Sequence, residues 1–304
     1  VRMIGANVPA LQTEDFTRIR EVRASAPEKI AEALANRQQR EVPTSGNLFI
    51  VAADHPARGA LAVGGNPSAM ADRYDLLNRL AYALRHPGVD GVLATPDIID
   101  DLALLGLLEN KIVVGSLNRG GLYRSSFEMD DRVTAYDIPA IVRDRLDFAK
   151  TLLRINLGDT GSLDTMIANR DAVNAAAAAK VPIMLEPFMT ARAGNKFVNE
   201  LTAESAIQAI SIASALGTSS AYTWLKLPPV DNMEAVMRST TLPTFILGGD
   251  TGETPEQLYG RWEHALTLPG VRGLVVGRSL LYPQTDDIAT AIDRAAALVH
   301  GDGF

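Results

Sequence analysis

Tyr222-Thr223-Trp224-Leu225-Lys226-Leu227-Pro228-Pro229 is a short apolar run that carries one lysine and stops at two prolines. Proline has no backbone N–H to give to a ladder, so a strand through this stretch ends at Leu227. Lys226 then stands at the C-terminal mouth of a strand, among bulky apolar neighbours. A lysine in that position either reaches out to solvent or serves as a nucleophile. The chain on either side bears on the choice.

Working outward, the run is one beat of a rhythm. Before it come an apolar strand at Pro182–Glu186 and a helical pattern over Thr202–Leu216. After it come a strand at Thr244–Leu247, a helix over Pro255–Leu266, a strand at Gly273–Val276 and a helix over Ile288–Leu298. Toward the N-terminus the strands are Leu48–Ala53, Gly91–Ala94, Lys111–Gly115 and Ala149–Asn156, with helices around Ala69–Arg85, Ile98–Leu108 and Leu163–Ala179. Continuous rather than alternating apolar strands suit a parallel sheet covered on both faces. Eight of them, interleaved with helices over about 250 residues, predict an α/β protein of the (β/α)8 TIM-barrel class. Pro-Gly-Val-x-Gly leads into both the second and the eighth strand, at Pro87–Gly91 and Pro269–Gly273. A doubly wound open sheet is the alternative, but its G-x-G-x-x-G turn is missing after the first strand. Ahead of the barrel, Thr13 reads as an N-cap followed by Phe16, Ile19 and Val22 at helical spacing, and a second helix restarts at Pro27 with Ile30, Ala31 and Leu34 as its face. Residues 1–44 are therefore expected to form a helical arm outside a catalytic barrel of residues 45–304; the arm suggests contact in a homo-oligomer, but it can equally pack on its own barrel.

Composition narrows the chemistry. A net charge of -7 over 304 residues, with no Lys/Arg-rich block, argues against nucleic acid as a partner. The absence of cysteine removes disulfides, thiolate nucleophiles and Cys-based zinc sites, and four histidines without ligand spacing argue against a metal. No cofactor is expected. No apolar run reaches the ~18 residues of a membrane span, and the first forty residues mix apolar with charged ones, unlike a signal peptide. A cytoplasmic protein without membrane contact is expected.

Catalytic residues of barrels lie at the C-terminal ends of strands. There the chain carries Asp54 after strand one, Lys150 and Arg154 in strand four, Glu186 in strand five and Lys226 in strand six. Period-two alternation puts Lys150, Leu152, Arg154 and Asn156 on one side of strand four. If that side faces the lumen, Lys150 and Arg154 are cations that favour a neutral amine at Lys226, and Asp54 and Glu186 can shuttle protons. The alternative is an interior ion-pair network that only joins the strands. Gly248, Gly249 and Gly252 after strand seven, and Gly277 with Arg278 after strand eight, fit the phosphate site that barrels place there. Arg278 would clamp the phosphate, whereas Asp250 would oppose it unless turned away. The glycines can equally be plain turn residues.

With these residues in place, the chain resembles the class I, Schiff-base aldolase superfamily. It looks most like tagatose-bisphosphate aldolases and, more distantly, like archaeal-type fructose-bisphosphate and deoxyribose-phosphate aldolases. Ala53-Asp54, Ala149-Lys150-Thr151-Leu152-Leu153, Met184-Leu185-Glu186-Pro187, Leu225-Lys226-Leu227-Pro228, the glycines after strand seven and Val276-Gly277-Arg278 carry the match, over about residues 45–285. The resemblance implies that Lys226 forms an imine with a phosphorylated ketose, that Glu186 and Lys150 assist proton transfer, and that Asp54 handles the hydroxyl at the bond that breaks. The chain is also similar to aldolase-like proteins of inositol breakdown, which implies 2-deoxy-5-keto-6-phosphogluconate as a candidate substrate. Where the family has a tyrosine at the end of strand four, Arg154 or its neighbourhood stands here. Arg192 and Lys196, after strand five, are candidates to bind a substrate carboxylate or a second phosphate. Two further functions stay open: transaldolase- or thiolase-like transfer by the same imine, and a sugar-phosphate-binding barrel without catalysis.

Overall fold

The computed structural model of the chain describes residues 3–5, 8–118, 120–194, 196–248 and 254–301. Eight parallel strands form the barrel: β1 (Leu48–Ala52), β2 (Gly91–Ala94), β3 (Ile112–Ser116), β4 (Phe148–Ile155), β5 (Ile183–Ala193), β6 (Thr223–Leu227), β7 (Thr244–Leu247) and β8 (Val271–Val276). Each pairs with the next in chain order, and β8 pairs with β1, so the ring closes as a (β/α)8 TIM barrel.

Period-two alternation sorts the strand residues into two cores. Phe49 and Val51 point outward into the layer shared with the helices, while Leu48, Ile50 and Ala52 point into the lumen. The lower lumen is filled by an apolar plug that includes Phe148, Met184, Phe245 and Val275. Trp224 packs edge-on against Phe148, with ring centres 5.2 Å apart, and stacks on Phe245 at 5.3 Å. The next inward positions along the same strands are Lys150, Glu186 and Lys226. One step of two residues thus turns an apolar layer into a charged one.

The helices are α1 (Thr13–Ser25), α2 (Glu28–Asn36), α3 (Arg73–Arg85), α4 (Pro96–Leu104), α5 (Ile138–Arg143), α6 (Gly161–Ala179), α7 (Ala203–Ser214), α8 (Met233–Arg238), α9 (Pro255–Leu266), α10 (Arg278–Leu281) and α11 (Ile288–His300). Helix α3 starts later than its apolar pattern because the Asp72 carboxylate caps it, accepting from the N–H groups of Tyr74 and Asp75. Helices α5 and α8 have six residues each, too few for a helical period to show in the sequence. The repeated Pro-Gly-Val-x-Gly has a physical cause. A Cβ on Gly91 would lie 2.1 Å from the Ile112 carbonyl oxygen, and one on Gly273 1.9 Å from that of Leu48. Both strands enter the barrel where a neighbouring backbone leaves no room for a side chain.

Two expectations are corrected. Strand five does not stop at Glu186 but runs to Ala193 and folds back as a hairpin with Lys196–Asn199. Pairing with β6 reaches only Leu185, so Pro187 falls where that side of the ladder has ended and a missing N–H is tolerated. The N-terminal helices pack against the barrel. Gln12, not Thr13, is the N-cap of α1, and its N–H donates to the Asp15 carboxylate at 2.9 Å. Phe16, Ile19 and Leu34 are buried, Phe16 stacks on Tyr74, and Arg23 pairs with Asp101 of α4 at 2.7 Å. The chain then passes under the barrel, where Gln39 bridges to Lys111, Val42 packs on the apolar plug, and Arg272 donates to the carbonyls of Pro43, Thr44 and Gly46. Among the described residues no helix is long and apolar enough to cross a membrane.

Arg37 fastens this underside. Its buried guanidinium donates to the carbonyls of Lys111 and Arg145 and to the Asp147 carboxylate, 3.0 Å away. Replacing it strands a buried carboxylate, which costs about 3–5 kcal/mol. Arg37→Met is expected to lower the unfolding free energy by that amount, measured by urea titration.

Candidate active site

Lys226 is the last charged residue before β6 ends, and its strand neighbours direct it into the lumen. Its Nζ lies 3.0 Å from Glu186 Oε1. The other oxygen of that carboxylate, Oε2, lies 2.5 Å from Lys150 Nζ, which also reaches Asp54 Oδ2 at 3.1 Å. Ser116, in register with Lys150 at the end of β3, donates its hydroxyl to Asp54 Oδ2 at 3.1 Å. His55 Nδ1 is 3.8 Å from Asp54 Oδ1. Lys150 and Lys226 are 2% and 4% exposed, so the whole chain of charges is withdrawn from water. Burial would raise the Glu186 carboxyl, but the two ammonium groups outweigh it and hold it down at about 2.

These groups form the floor of a cavity of about 390 Å³ at the C-terminal mouth of the barrel. The wall after β7 and β8 is made by Gly248, Gly277, Arg278 and Ser279. A Cβ on Gly277 would lie 2.4 Å from the Ala52 carbonyl oxygen, so the backbone there packs bare against β1. Trp262 of α9 fixes the end of β7 by donating from its indole N–H to the Leu247 carbonyl at 3.1 Å. Gly249, Asp250, Thr251 and Gly252 lie outside the described residues.

The structure brings Asp54, Lys150, Glu186 and Lys226 together and sets Gly248, Gly277 and Arg278 on one wall. It does not bring Arg154 to the lysines. That guanidinium is held by Glu128, with 2.7 Å from Nη1 to Oε1 and 2.8 Å from Nη2 to the backbone oxygen. Arg192 and Lys196 also fall elsewhere. Arg192 is 3.5 Å from Asp159 and packs over the Phe197 ring, Lys196 is exposed, and neither lines the cavity. The cations at that end are instead Arg154 and Arg58. Ser116 and Glu128 went unread in the sequence. Ser116 could have been found, because it continues the inward parity of Ile112 and Val114. Glu128 sits in an irregular segment with no period to flag it. Among the described residues no group of three or more His, Asp or Glu side chains is disposed to hold a metal ion.

A buried lysine beside a shared carboxylate, a second lysine and an aspartate can present an amine to a carbonyl and pass protons around it. Glu186 also makes stability depend on pH. A carboxyl held at about 2, below its ordinary 4.5, stabilises the fold above pH 4.5 and loses that contribution as the pH falls toward 2. The loss is expected to reach about 3 kcal/mol and to be smaller in Glu186→Gln, as read by urea unfolding across that interval.

A model of the Cgl0159-like family matches residues 46–296. The crystal structure of Cgl0159 from Corynebacterium glutamicum (Brevibacterium flavum) is 59% identical to this chain, with a TM-score of 0.94, over 97% of this chain and 100% of that one. A Schiff-base-forming fructose-1,6-bisphosphate aldolase is 22% identical with a TM-score of 0.60, over 89% of this chain and 100% of that one. An archaeal fructose-1,6-bisphosphate aldolase, with its catalytic lysine bound to the carbinolamine of its substrate, is 22% identical with a TM-score of 0.64, over 89% and 99%. At that identity the likeness to the two aldolases is one of fold. No curated protein matches the chain. The family match covers all eight barrel strands, and the chain belongs to the Cgl0159-like family.

Proposed function

We propose that this chain is a class I aldolase, a metal-independent lyase that cleaves or forms a C–C bond in a phosphorylated ketose or keto-sugar acid through an imine on Lys226. The observation that carries the proposal is the Lys226–Glu186–Lys150–Asp54 array on the floor of an open cavity. A network that served only to join strands would have no reason to face a cavity, and buried ion pairs are weak stabilisers.

The Lys226 ammonium passes one proton to Glu186, the amine so freed adds to the ketone carbon to give a carbinolamine, and loss of water gives an iminium. The iminium puts a positive charge where the resting ammonium had one, so Glu186 pairs with both and needs no rearrangement between them. Glu186 and Lys150 pass the proton that the departing hydroxide takes up. Asp54 then accepts the proton of the substrate hydroxyl. The C–C bond breaks, an aldehyde leaves, and the electron pair flows into the iminium to give an enamine. Protonation of the enamine carbon and addition of water release the second product and the amine. Gly248, Gly277 and Arg278, with Gly249, hold the phosphate. The lysine-bound carbinolamine of the archaeal relative supports this chemistry by analogy.

The candidate substrate is 2-deoxy-5-keto-6-phosphogluconate, split into dihydroxyacetone phosphate and malonate semialdehyde. A place in inositol breakdown, a cytoplasmic location and a homo-oligomeric state belong to the same proposal. Borohydride reduction in the presence of dihydroxyacetone phosphate is expected to fix one donor on Lys226, seen by mass spectrometry of the peptide, and Lys226→Met is expected to give no adduct. An absence of adduct with every phosphorylated ketose tried would sink the proposal.

A further inference from the structure

The imine chemistry uses the floor of the cavity and its backbone wall, and leaves one lining face without a role. That face is apolar. Leu152 stands one inward step beyond Lys150 on β4, Phe188 one beyond Glu186 on β5, and Leu247 one beyond Phe245 on β7. The three side chains form a cluster of their own, apart from the plug below, and all three line the cavity. Phe197, Val198 and Leu201 carry the same surface out to the rim, where Val198 is 43% and Leu201 38% exposed. Polar lining residues border this face, with Arg154 further along β4 and the exposed Asn199 at the hairpin.

The backbone behind the face is already engaged. Asn118 accepts from the Leu152 N–H at 2.7 Å and donates to the Leu152 carbonyl. The Trp262 indole takes the Leu247 carbonyl. A hydroxyl pressed against these side chains would give up water and find no acceptor on them, whereas a CH2 group gains contact. In the closed ring, β4 and β5 lie across from β8 and β1. A substrate with its phosphate at Gly277, its carbonyl at Lys226 and the hydroxyl of the breaking bond at Asp54 therefore extends its remaining end over Leu152 and Phe188.

We infer that Leu152 and Phe188, backed by Leu247, select the aldehyde half of the substrate, admitting one whose carbon next to the aldehyde carbon bears no hydroxyl. The inference rests on the aldolase reading above, which sets the direction in which the substrate lies. Of the phosphorylated ketoses and keto-sugar acids proposed there, the site takes those deoxygenated at that carbon and disfavours those hydroxylated at it.

The test uses the full chain. Glucitol 6-phosphate and 2-deoxyglucitol 6-phosphate have no carbonyl, so calorimetry reads their binding without any chemistry. The native protein and Lys226→Met are expected to bind the deoxy compound about 10-fold more tightly. Leu152→Asn places an amide on the face and Phe188→Tyr a hydroxyl, and each is expected to remove most of that preference. The ratio compares two ligands in one protein, so a loss of folded protein does not move it. Equal affinity or no measurable binding in the native protein, or an unchanged ratio in both variants, overturns the inference. In aldol addition to dihydroxyacetone phosphate, 3-hydroxypropanal is expected to exceed glyceraldehyde about 10-fold in kcat/KM, and Leu152→Asn is expected to narrow that gap. Equal values in the native protein also overturn it. A binding ratio that depends on Leu152, in a protein that forms no imine with any phosphorylated ketose, would leave the apolar subsite standing and remove the aldolase reading.

Discussion

One carboxylate between two ammonium groups governs the candidate site. Glu186 lies within hydrogen-bond distance of both Lys150 and Lys226, and it is the carboxylate that the two buried lysines share. Removing a charge from water costs several kcal/mol unless a partner of opposite sign is fixed nearby. The partner has to be fixed, because a mobile one would bring back entropy and water. Here that rigidity comes from the barrel, since each of the three side chains projects from a different strand of the closed ring.

The plug beneath is as necessary as the charges. Phe148, Trp224 and Phe245 fill the lower lumen, and Val42 with the chain under the barrel packs on the same cluster. The plug lies beneath the lysines, and the array lines the cavity above it. The N-terminal segment therefore belongs to the same physical unit as the site above it. Its helices bury Phe16, Ile19 and Leu34 on the outside, and the segment that follows them seals the bottom.

The two ends of the cavity differ in construction. The end at β7 and β8 offers bare backbone, Arg278 and a serine, which suits a group recognised by many N–H donors. The end at β4 carries a guanidinium held in place by a buried glutamate. Between them, the lysines stand where a carbonyl would lie.

Much of this was legible in the chain. Local signals marked all eight barrel strands: apolar runs, the proline stop after Leu227, and inward parity in strand four. The same parity placed Lys150 and Arg154 on one face, and the strand ends picked out Asp54, Glu186 and Lys226. Other features depend on contacts between distant segments, which no local period records. Pro187 falsely ended strand five, because only the register with β6 shows that its missing N–H is not needed there. The choice between an oligomer contact and packing on its own barrel stayed open for the arm, because the surfaces that bury Phe16 and Leu34 are supplied by residues far along the chain. Arg154 read as a neighbour of Lys226, because its true partner, Glu128, sits in a loop whose path is set by Arg58, Asp131 and Thr165. The sequence by itself determined where the eight barrel strands lie and, in strand four, which residues face inward, since both are recorded in local apolar runs and a period of two. Only the tertiary structure decided which charge meets which, because strand order, register and loop path set those distances.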